Sequence, residues 1–289
     1  MDAEIISMKG DSHMAIVERW QLVEEFQDTL KFCEEEPILR EAVSSTNKRT
    51  RVYAVDFAEE VSVKKDGNVR VESGRTLQAA LRLHAEFPEK RIAVLNFAAS
   101  GTPGGGVRGG SYAQEESICR CSTLYPSLLT KAALDGFYRY PHDWRASDTC
   151  VYSPDVVIVR DDSDLLCDRL RPEEFVKVDV ITCAAPHVFR NVAVSYNDLL
   201  AIHVMRAKNI MRVCAYNGAD ILVTGAFGCG AFNNPPETVS KAWHEAMRSY
   251  GEKFDLVDFV VYVSDYPAKQ ESGRHNLQVF TNEFCGEDN

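Results

Sequence analysis

The chain has 289 residues, 45% of them hydrophobic and 26% charged, which is the composition of a globular protein long enough to bury a sizeable core. Its formal net charge of −11 repels polyanions at long range, so general duplex DNA or RNA binding is excluded, while an anion held locally by backbone N–H groups is not. No run of about 18 apolar residues is present, so no helix is expected to cross a membrane.

The first residues lack a basic start followed by an apolar stretch, so no secretory leader is expected. The nine cysteines are scattered, which fits free thiols in a reducing intracellular compartment, the cytoplasm before the nucleus. Cys119 and Cys121 form a lone C-x-C pair without the second ligand pair of a zinc site, and no metal is expected.

In chain order, an early helix runs through Ile16, Trp20, Val23, Phe26 and Leu30, which share helical spacing. Short strands follow in TRVYAVDF, EEVSVKK and NVRVESG, the last two joined at Asp66-Gly67. TLQAALRLHAEF reads as a helix with Leu77, Leu81 and His84 on one face, and RIAVLNF as a strand buried on both sides. QEESICRCSTLYPSLL predicts one helix with Ile118, Cys121, Leu124, Tyr125 and Leu128 aligned, and residues 131–155 read as irregular.

DVVIVRD, KVDVITCAAP, DILVTGA and DLVDFVVYV are further strands. Helices SYNDLLAIHVMRAKNIMRVCAYNG and ETVSKAWHEAMRSYG lie between the last three, ended by Gly218 and Gly251. Alternating strands and helices predict an α/β layered domain with a mainly parallel sheet. No repeat or linker divides the chain, so 1–289 is read as one domain with 1–45 as a helical N-terminal extension. Residues 264–289 are expected to be solvated and mobile.

Two strands end in glycine-rich loops that run toward helices: AASGTPGGGVRGGSYA before QEES, and GAFGCGAFNNPP before ETVS. Ligands collect where strand ends meet helix N-termini, and glycine amides free of Cβ obstruction cradle phosphates there. Gly104, Gly106 and Gly109 match G-x-G-x-x-G, but no second strand with an acidic end follows about 20 residues on, against a dinucleotide fold. No G-K-[ST] follows, against a P-loop NTPase. Phe227 and Phe232 bracket GCGA, and either aromatic could cover a ribose or pack into the core.

Glu115 and Glu116 open a helix. Acidic residues there favour the macrodipole by about 0.3–1 kcal/mol, and Glu116 could pair with Arg120 one turn on. The chemical alternative rests on adjacency. The helix end favours ionised carboxylates and the like charge opposes ionising both, so one can be ionised and the other protonated, as an acid catalyst of glycoside cleavage requires. Side chains adjacent on a helix point about 100° apart and do not flank a sugar from opposite faces, so one acid with one positioning partner fits better. A phosphate-binding loop beside an acid points to a substrate with both a diphosphate and a glycosidic bond.

GGG, seven residues, then QEE resembles the signature of bacterial-type poly(ADP-ribose) glycohydrolases, and the similarity extends over most of residues 70–263, including GAFGCGAF. The resemblance implies a macrodomain-like three-layer α/β/α sandwich around a mixed, mainly parallel sheet. It implies that Gly104, Gly105, Gly106 and Val107 lie along the diphosphate and distal ribose. Gln114 and Glu115 would position that ribose and its neighbour. Glu116 would protonate the leaving ribose oxygen and then activate water. Gly225, Phe227, Gly228, Cys229, Gly230 and Phe232 would form the second phosphate loop, with Phe227 or Phe232 against the ribose, and Asn96 would orient the first loop or touch the ribose.

The implied activity is hydrolysis of the ribose–ribose O-glycosidic bond. The acidic charge favours grip on the terminal unit and release of ADP-ribose from the free end. The substrate would be poly(ADP-ribose) or an ADP-ribosylated protein, handled by a monomer without cofactor or metal. The alternatives are a hydrolase of mono-ADP-ribosyl conjugates and a non-catalytic ADP-ribose-binding macrodomain. An adenine contact near Val55-Asp56-Phe57 competes with a plain strand end. His84, His203 and His244 read as surface or packing residues, and His142 and His187 receive no role.

Overall fold

The computed structural model describes residues 7–8, 15–55, 65–139, 143–189 and 192–286. The N-terminal helical region divides at Pro37 into α1 (Arg19–Glu35) and α2 (Pro37–Arg49). Glu36 between them is extended, the conformation that a following proline imposes.

Seven strands form one sheet: β1 (Arg51–Tyr53), β2 (Asn68–Ser73), β3 (Ile92–Phe97), β4 (Cys150–Ile158), β5 (Val176–Cys183), β6 (Ile221–Thr224) and β7 (Leu256–Val261). Their order is β1-β4-β5-β3-β6-β7-β2. β5, β3, β6, β7 and β2 run parallel, and β4 runs antiparallel to both of its neighbours. Central β3 pairs with β5 from Ala93 to Phe97 but with β6 only from Ile92 to Val94, so the sheet parts between β3 and β6 at its carboxyl end. Crevices of this kind are where open α/β sheets take ligands.

The period-2 alternation of β3 sorts two cores. Ile92 and Val94 pack with Phe26 of α1, Leu77 and Leu83 of α3 (Thr76–Glu86) and Ile118 of α4 (Gln114–Cys121). Ala93 and Leu95 face the other layer. There they meet Ile210 of α5 (Tyr196–Tyr216), Trp243 of α6 (Pro236–Tyr250) and Phe280 of α7 (Pro267–Cys285). This is the expected three-layer α/β/α sandwich around a mixed, mainly parallel sheet.

Three expectations change. The helix foreseen over 114–128 ends at Cys121, where Ser122 is extended and turns its hydroxyl back to the Ile118 carbonyl at 2.7 Å; a short helix resumes at Tyr125–Leu128. Residues 131–155 are not irregular throughout: a short helix, Lys131–Ala133, leads into a five-residue π-helix, Leu134–Tyr138, and β4 begins at Cys150. The C-terminal segment is not a mobile tail, because α7 buries Phe280 completely and stacks Phe284 on Phe259 at 4.3 Å. Most of the EEVSVKK strand, with Asp56 and Phe57 of the adenine-contact expectation, lies outside the described residues, as does His142.

Candidate active site

The crevice between β3 and β6 is flanked by the loop 98–113, which follows β3 and leads into α4. Gln114, the first residue of α4, does not extend its amide into that loop. Its Oε1 accepts the Phe97 N–H at 2.8 Å, and its Nε2 donates to the Leu95 carbonyl at 2.7 Å and to Thr76 Oγ1 at 3.2 Å. These backbone groups lie on the edge of β3 that β6 has left. Gln114 therefore fixes the start of α4 against the strand end, and its polar atoms are spent there.

Glu115 and Glu116 follow, both buried. Glu115 accepts from the Ala99 N–H at 2.8 Å and from Asn96 Nδ2 at 3.4 Å; Asn96, at the end of β3, also bonds Thr182 Oγ1 at 3.2 Å. Burial pushes the Glu115 carboxyl up to about 8, the Ala99 N–H pulls it back, and the charge of Glu116 pushes it further up. At neutral pH Glu115 is a neutral acid. Adjacency alone leaves open which of the pair holds the proton, and burial puts it on Glu115 in the free protein.

Glu116 Oε1 accepts the Gly106 N–H at 2.8 Å, while its Oε2 is buried with no hydrogen-bond partner. A buried carboxyl oxygen without a partner is costly, and a ligand donor or acceptor is the natural remedy. Glu116 does not pair with Arg120 as expected. That guanidinium lies 3.1 Å from Glu25 of α1 and donates to the Ser111 carbonyl at 2.8 Å.

Gly105 explains why the loop is so rich in glycine. It sits at φ +56, and a Cβ there would stand 2.5 Å from Glu116 Oε1 and 2.9 Å from Glu115 Oε2. Both carboxyls thus converge on one glycine and do not face each other across a gap for a sugar ring.

The glycine-rich turn of the first loop uses several of its amides within the protein. Gly105 donates to Thr102, Val107 to Gly104 and Gly109 to Gly106, while Gly106 serves Glu116. The Val107 side chain is fully buried in the core, so only its backbone is available to lie along a ligand.

The second loop also offers open amides. Phe227, Cys229, Asn233 and Asn234 donate their amides inside it, whereas Gly228, Gly230, Ala231 and Phe232 have amides with no partner among the described residues. Gly225 passes directly under the Val260 carbonyl of β7, where no side chain fits. At Gly228, φ +80, a Cβ would stand 2.6 Å from both Ala185 and Asn234. The buried Asn234 ties the loop together, donating to the Pro186 carbonyl at 2.7 Å and to the Gly228 carbonyl at 3.0 Å, with its Oδ1 2.8 Å from His203.

The two bracketing phenylalanines separate clearly. Phe227 is a core residue, 2% exposed and packed 5.3 Å from Phe97, which removes it as a ribose cover. Phe232 is half-buried and stacks on His187 at 4.8 Å. Cys229 is a thiol held protonated by burial.

Among residues the sequence reading left aside, His187 lies between Phe232 and Phe189, and Tyr138 presents a buried hydroxyl without a partner. Burial raises the Tyr138 phenol well above its usual range and the charge of Glu115 adds to this. Tyr138 shares one buried cluster with Ile118 and Cys119 of α4. Only the Leu134–Tyr138 π-turn marks it locally.

For a metal, the donor atoms of Cys121, Cys167 and Asp162 lie within 4.8 Å of one another. Asp162, however, is already bound by Arg75 at 2.9 Å, Ser117 at 2.5 Å and the Leu77 N–H at 3.2 Å, and the guanidinium opposes a cation. His203 and His244 are packing residues, the latter against Phe284 and Glu283.

A family description, the catalytic domain of microbial-type PARG, matches residues 24–161. Among solved structures, poly(ADP-ribose) glycohydrolase from Deinococcus radiodurans in complex with ADP-ribose is 30% identical, with a TM-score of 0.70, over 83% of this chain and 96% of that one. The chain belongs to the microbial-type poly(ADP-ribose) glycohydrolase family. The glycohydrolase of Thermomonospora curvata is 26% identical over 92% of this chain and 100% of its own, with a TM-score of 0.74. The same enzyme with the inhibitor ADP-HPD bound matches equally well. No curated protein matches the chain. In this glycohydrolase-family member, the match of residues 24–161 takes in most of α1 together with the first loop and both glutamates.

Proposed function

We propose that residues 1–289 act as one domain, a poly(ADP-ribose) glycohydrolase that cuts the ribose–ribose bond at the free end and releases ADP-ribose. The observation that carries the reading is Glu116: one oxygen is fixed by the Gly106 N–H and the other is buried without a partner beside the crevice. In this reading Oε2 carries a proton once substrate is bound, gives it to the departing ribose oxygen as the glycosidic C–O bond breaks, and then takes one from the water that bonds to the anomeric carbon. Glu115, neutral at pH 7 and held by Ala99 and Asn96, adds a carboxyl beside the sugar that carries no negative charge. The open amides of Gly228, Gly230, Ala231 and Phe232 receive the pyrophosphate, whose charge they offset. The convergence of both carboxyls on Gly105 supports one acid–base group over a pair that flanks the sugar.

The test is release of ADP-ribose from polymer by the wild type and by Glu116→Gln, with ADP-ribose binding measured on both. Loss of turnover with binding kept is the expected outcome. Unchanged turnover in the variant removes Glu116 from the chemistry, and a wild type that binds without releasing product is a reader. Early release of oligomers in place of monomeric ADP-ribose overturns the free-end assignment.

A further inference from the structure

Val107, Arg108 and Gly109 form a tight 3-10 turn directly after the glycine whose N–H holds Glu116. Its bonds run from the Val107 N–H to the Gly104 carbonyl at 3.1 Å, from Gly109 to Gly106 at 2.9 Å and from Gly110 to Val107 at 3.2 Å. The turn drives Val107 wholly into the core and leaves Arg108 outside. Arg108 does not trail in water. Its Nε–H donates to the Tyr125 hydroxyl at 2.7 Å, and its guanidinium carbon lies 5.3 Å from the centre of the Tyr125 ring. That ring is 4% exposed and is itself met edge-on by Phe26 of α1 at 5.0 Å.

The hold on Tyr125 spends one of the five N–H groups of an arginine. Among the described residues the rest have no acceptor and the guanidinium has no carboxylate, in a chain with 43 acidic residues against 32 basic. A fork with its rotamer already fixed loses little freedom on meeting an anion, and it matches the oxygens of a phosphate two at a time.

Placement selects the phosphate. The Tyr125 ring lies 2.8 Å from the Cβ position of Gly104, next to Gly105, on which both carboxyls converge. Arg108 therefore stands beside the acid, on the α1 and α4 face of the sheet, since Val107, Tyr125 and Phe26 belong to that core. The open amides of the second loop stand on the other face, where Phe227 is buried and Cys229 and Phe232 pack. In poly(ADP-ribose) each of the two riboses joined by the cleaved bond carries a pyrophosphate of its own. A sugar at Glu116 whose pyrophosphate lies in the second loop leaves the other pyrophosphate to be met on the opposite face.

Resting on the glycohydrolase reading above, we propose that Arg108 is a second anion site, for the pyrophosphate across the scissile bond from the one in the second loop. It makes the protein hold polymer more tightly than the ADP-ribose it releases.

The experiment titrates ADP-ribose and a defined three-unit ADP-ribose oligomer into Glu116→Gln protein with and without Arg108→Ala, between about 50 and 200 mM salt. Loss of a charge-assisted contact should weaken oligomer binding about tenfold at the low-salt end. The slope of log affinity against log salt should shrink by about 0.7 to 1. Binding of ADP-ribose should stay unchanged, which also verifies the fold of the variant. Lys48→Ala removes an equal charge where α2 leads into the start of β1, at the far end of the sheet, and should leave oligomer binding nearly as it is. Equal weakening of monomer and oligomer by Arg108→Ala would assign Arg108 to the terminal unit's own pyrophosphate. Weakening of neither would leave it without an anion, and an equal effect of Lys48→Ala would reduce it to net charge; each of these three outcomes overturns the proposal. Failure of the glycohydrolase reading shows elsewhere, as absence of ADP-ribose release by the wild type whatever residue 108 is.

Discussion

Gly105→Ala puts a methyl group where the two carboxyls meet. Its Cβ would lie 2.5 Å from Glu116 Oε1, so that oxygen has to retreat by about 0.9 Å to reach the ordinary contact distance of 3.4 Å. Retreat on that scale breaks the 2.8 Å bond to Gly106 and turns Oε2 away from its place. Misplacement of a catalytic group by about 1 Å costs on the order of 100-fold in rate. The left-handed backbone at φ +56 adds about 1–2 kcal/mol of strain, a fall in Tm of only several degrees for a chain of this size. The variant should therefore remain folded while ADP-ribose release from polymer drops about 100-fold. Gly109→Ala in the same loop is the control, since nothing lies within 4 Å of its Cβ position, and it should keep near-normal rate and Tm. A Gly105→Ala protein within threefold of wild-type rate would refute the convergence argument.

Raising the pH through about 8 should ionise Glu115 in the free protein and set a second negative charge beside a pyrophosphate. ADP-ribose affinity should then fall between about pH 7 and pH 9, and calorimetric titration across that range gives the check. The same shift bears on stability. Unfolded Glu115 releases its proton near its ordinary value of 4.5 and the folded group only near 8, so its contribution is fully present below about 4.5 and declines as pH rises to 8. Glu25→Ala leaves Arg120 buried beneath α4 without its counter-charge, and chemical denaturation should register a loss of about 3–5 kcal/mol. Phe280→Ala should cost about 3–5 kcal/mol by the same measurement, a loss a mobile tail would not give.

What the sequence could and could not disclose follows from the range of the interactions. The run Ile92–Leu95 is apolar throughout, and such a run has few fates besides a strand covered on both faces; the two glycine loops and the adjacent glutamates were equally visible. Local signals failed where a distant residue made the choice. Arg120 had an acidic neighbour one turn away, yet it chose Glu25, which is remote in sequence and is brought close because α1 packs on α4. Phe227 and Phe232 look alike in the motif, and only the ring of Phe97 beneath one and that of His187 beside the other assigned them to different tasks. α7 escaped notice because its polar composition conceals the few aromatic residues that dock it. The proton on Glu115 was likewise beyond local reading, since adjacency gives repulsion but only the fold gives burial.

The primary amide of Gln114 counterfeits a neighbouring strand. It carries a donor and an acceptor at the spacing of a peptide group and meets Leu95 and Phe97 where β6 has veered off. The sheet can gape at that place without stranding its own main chain, and the opening comes already hemmed. Glutamate in this position would lack the donor and asparagine the reach, so the fissure and the helix that closes its edge depend on one side chain and can only shift together.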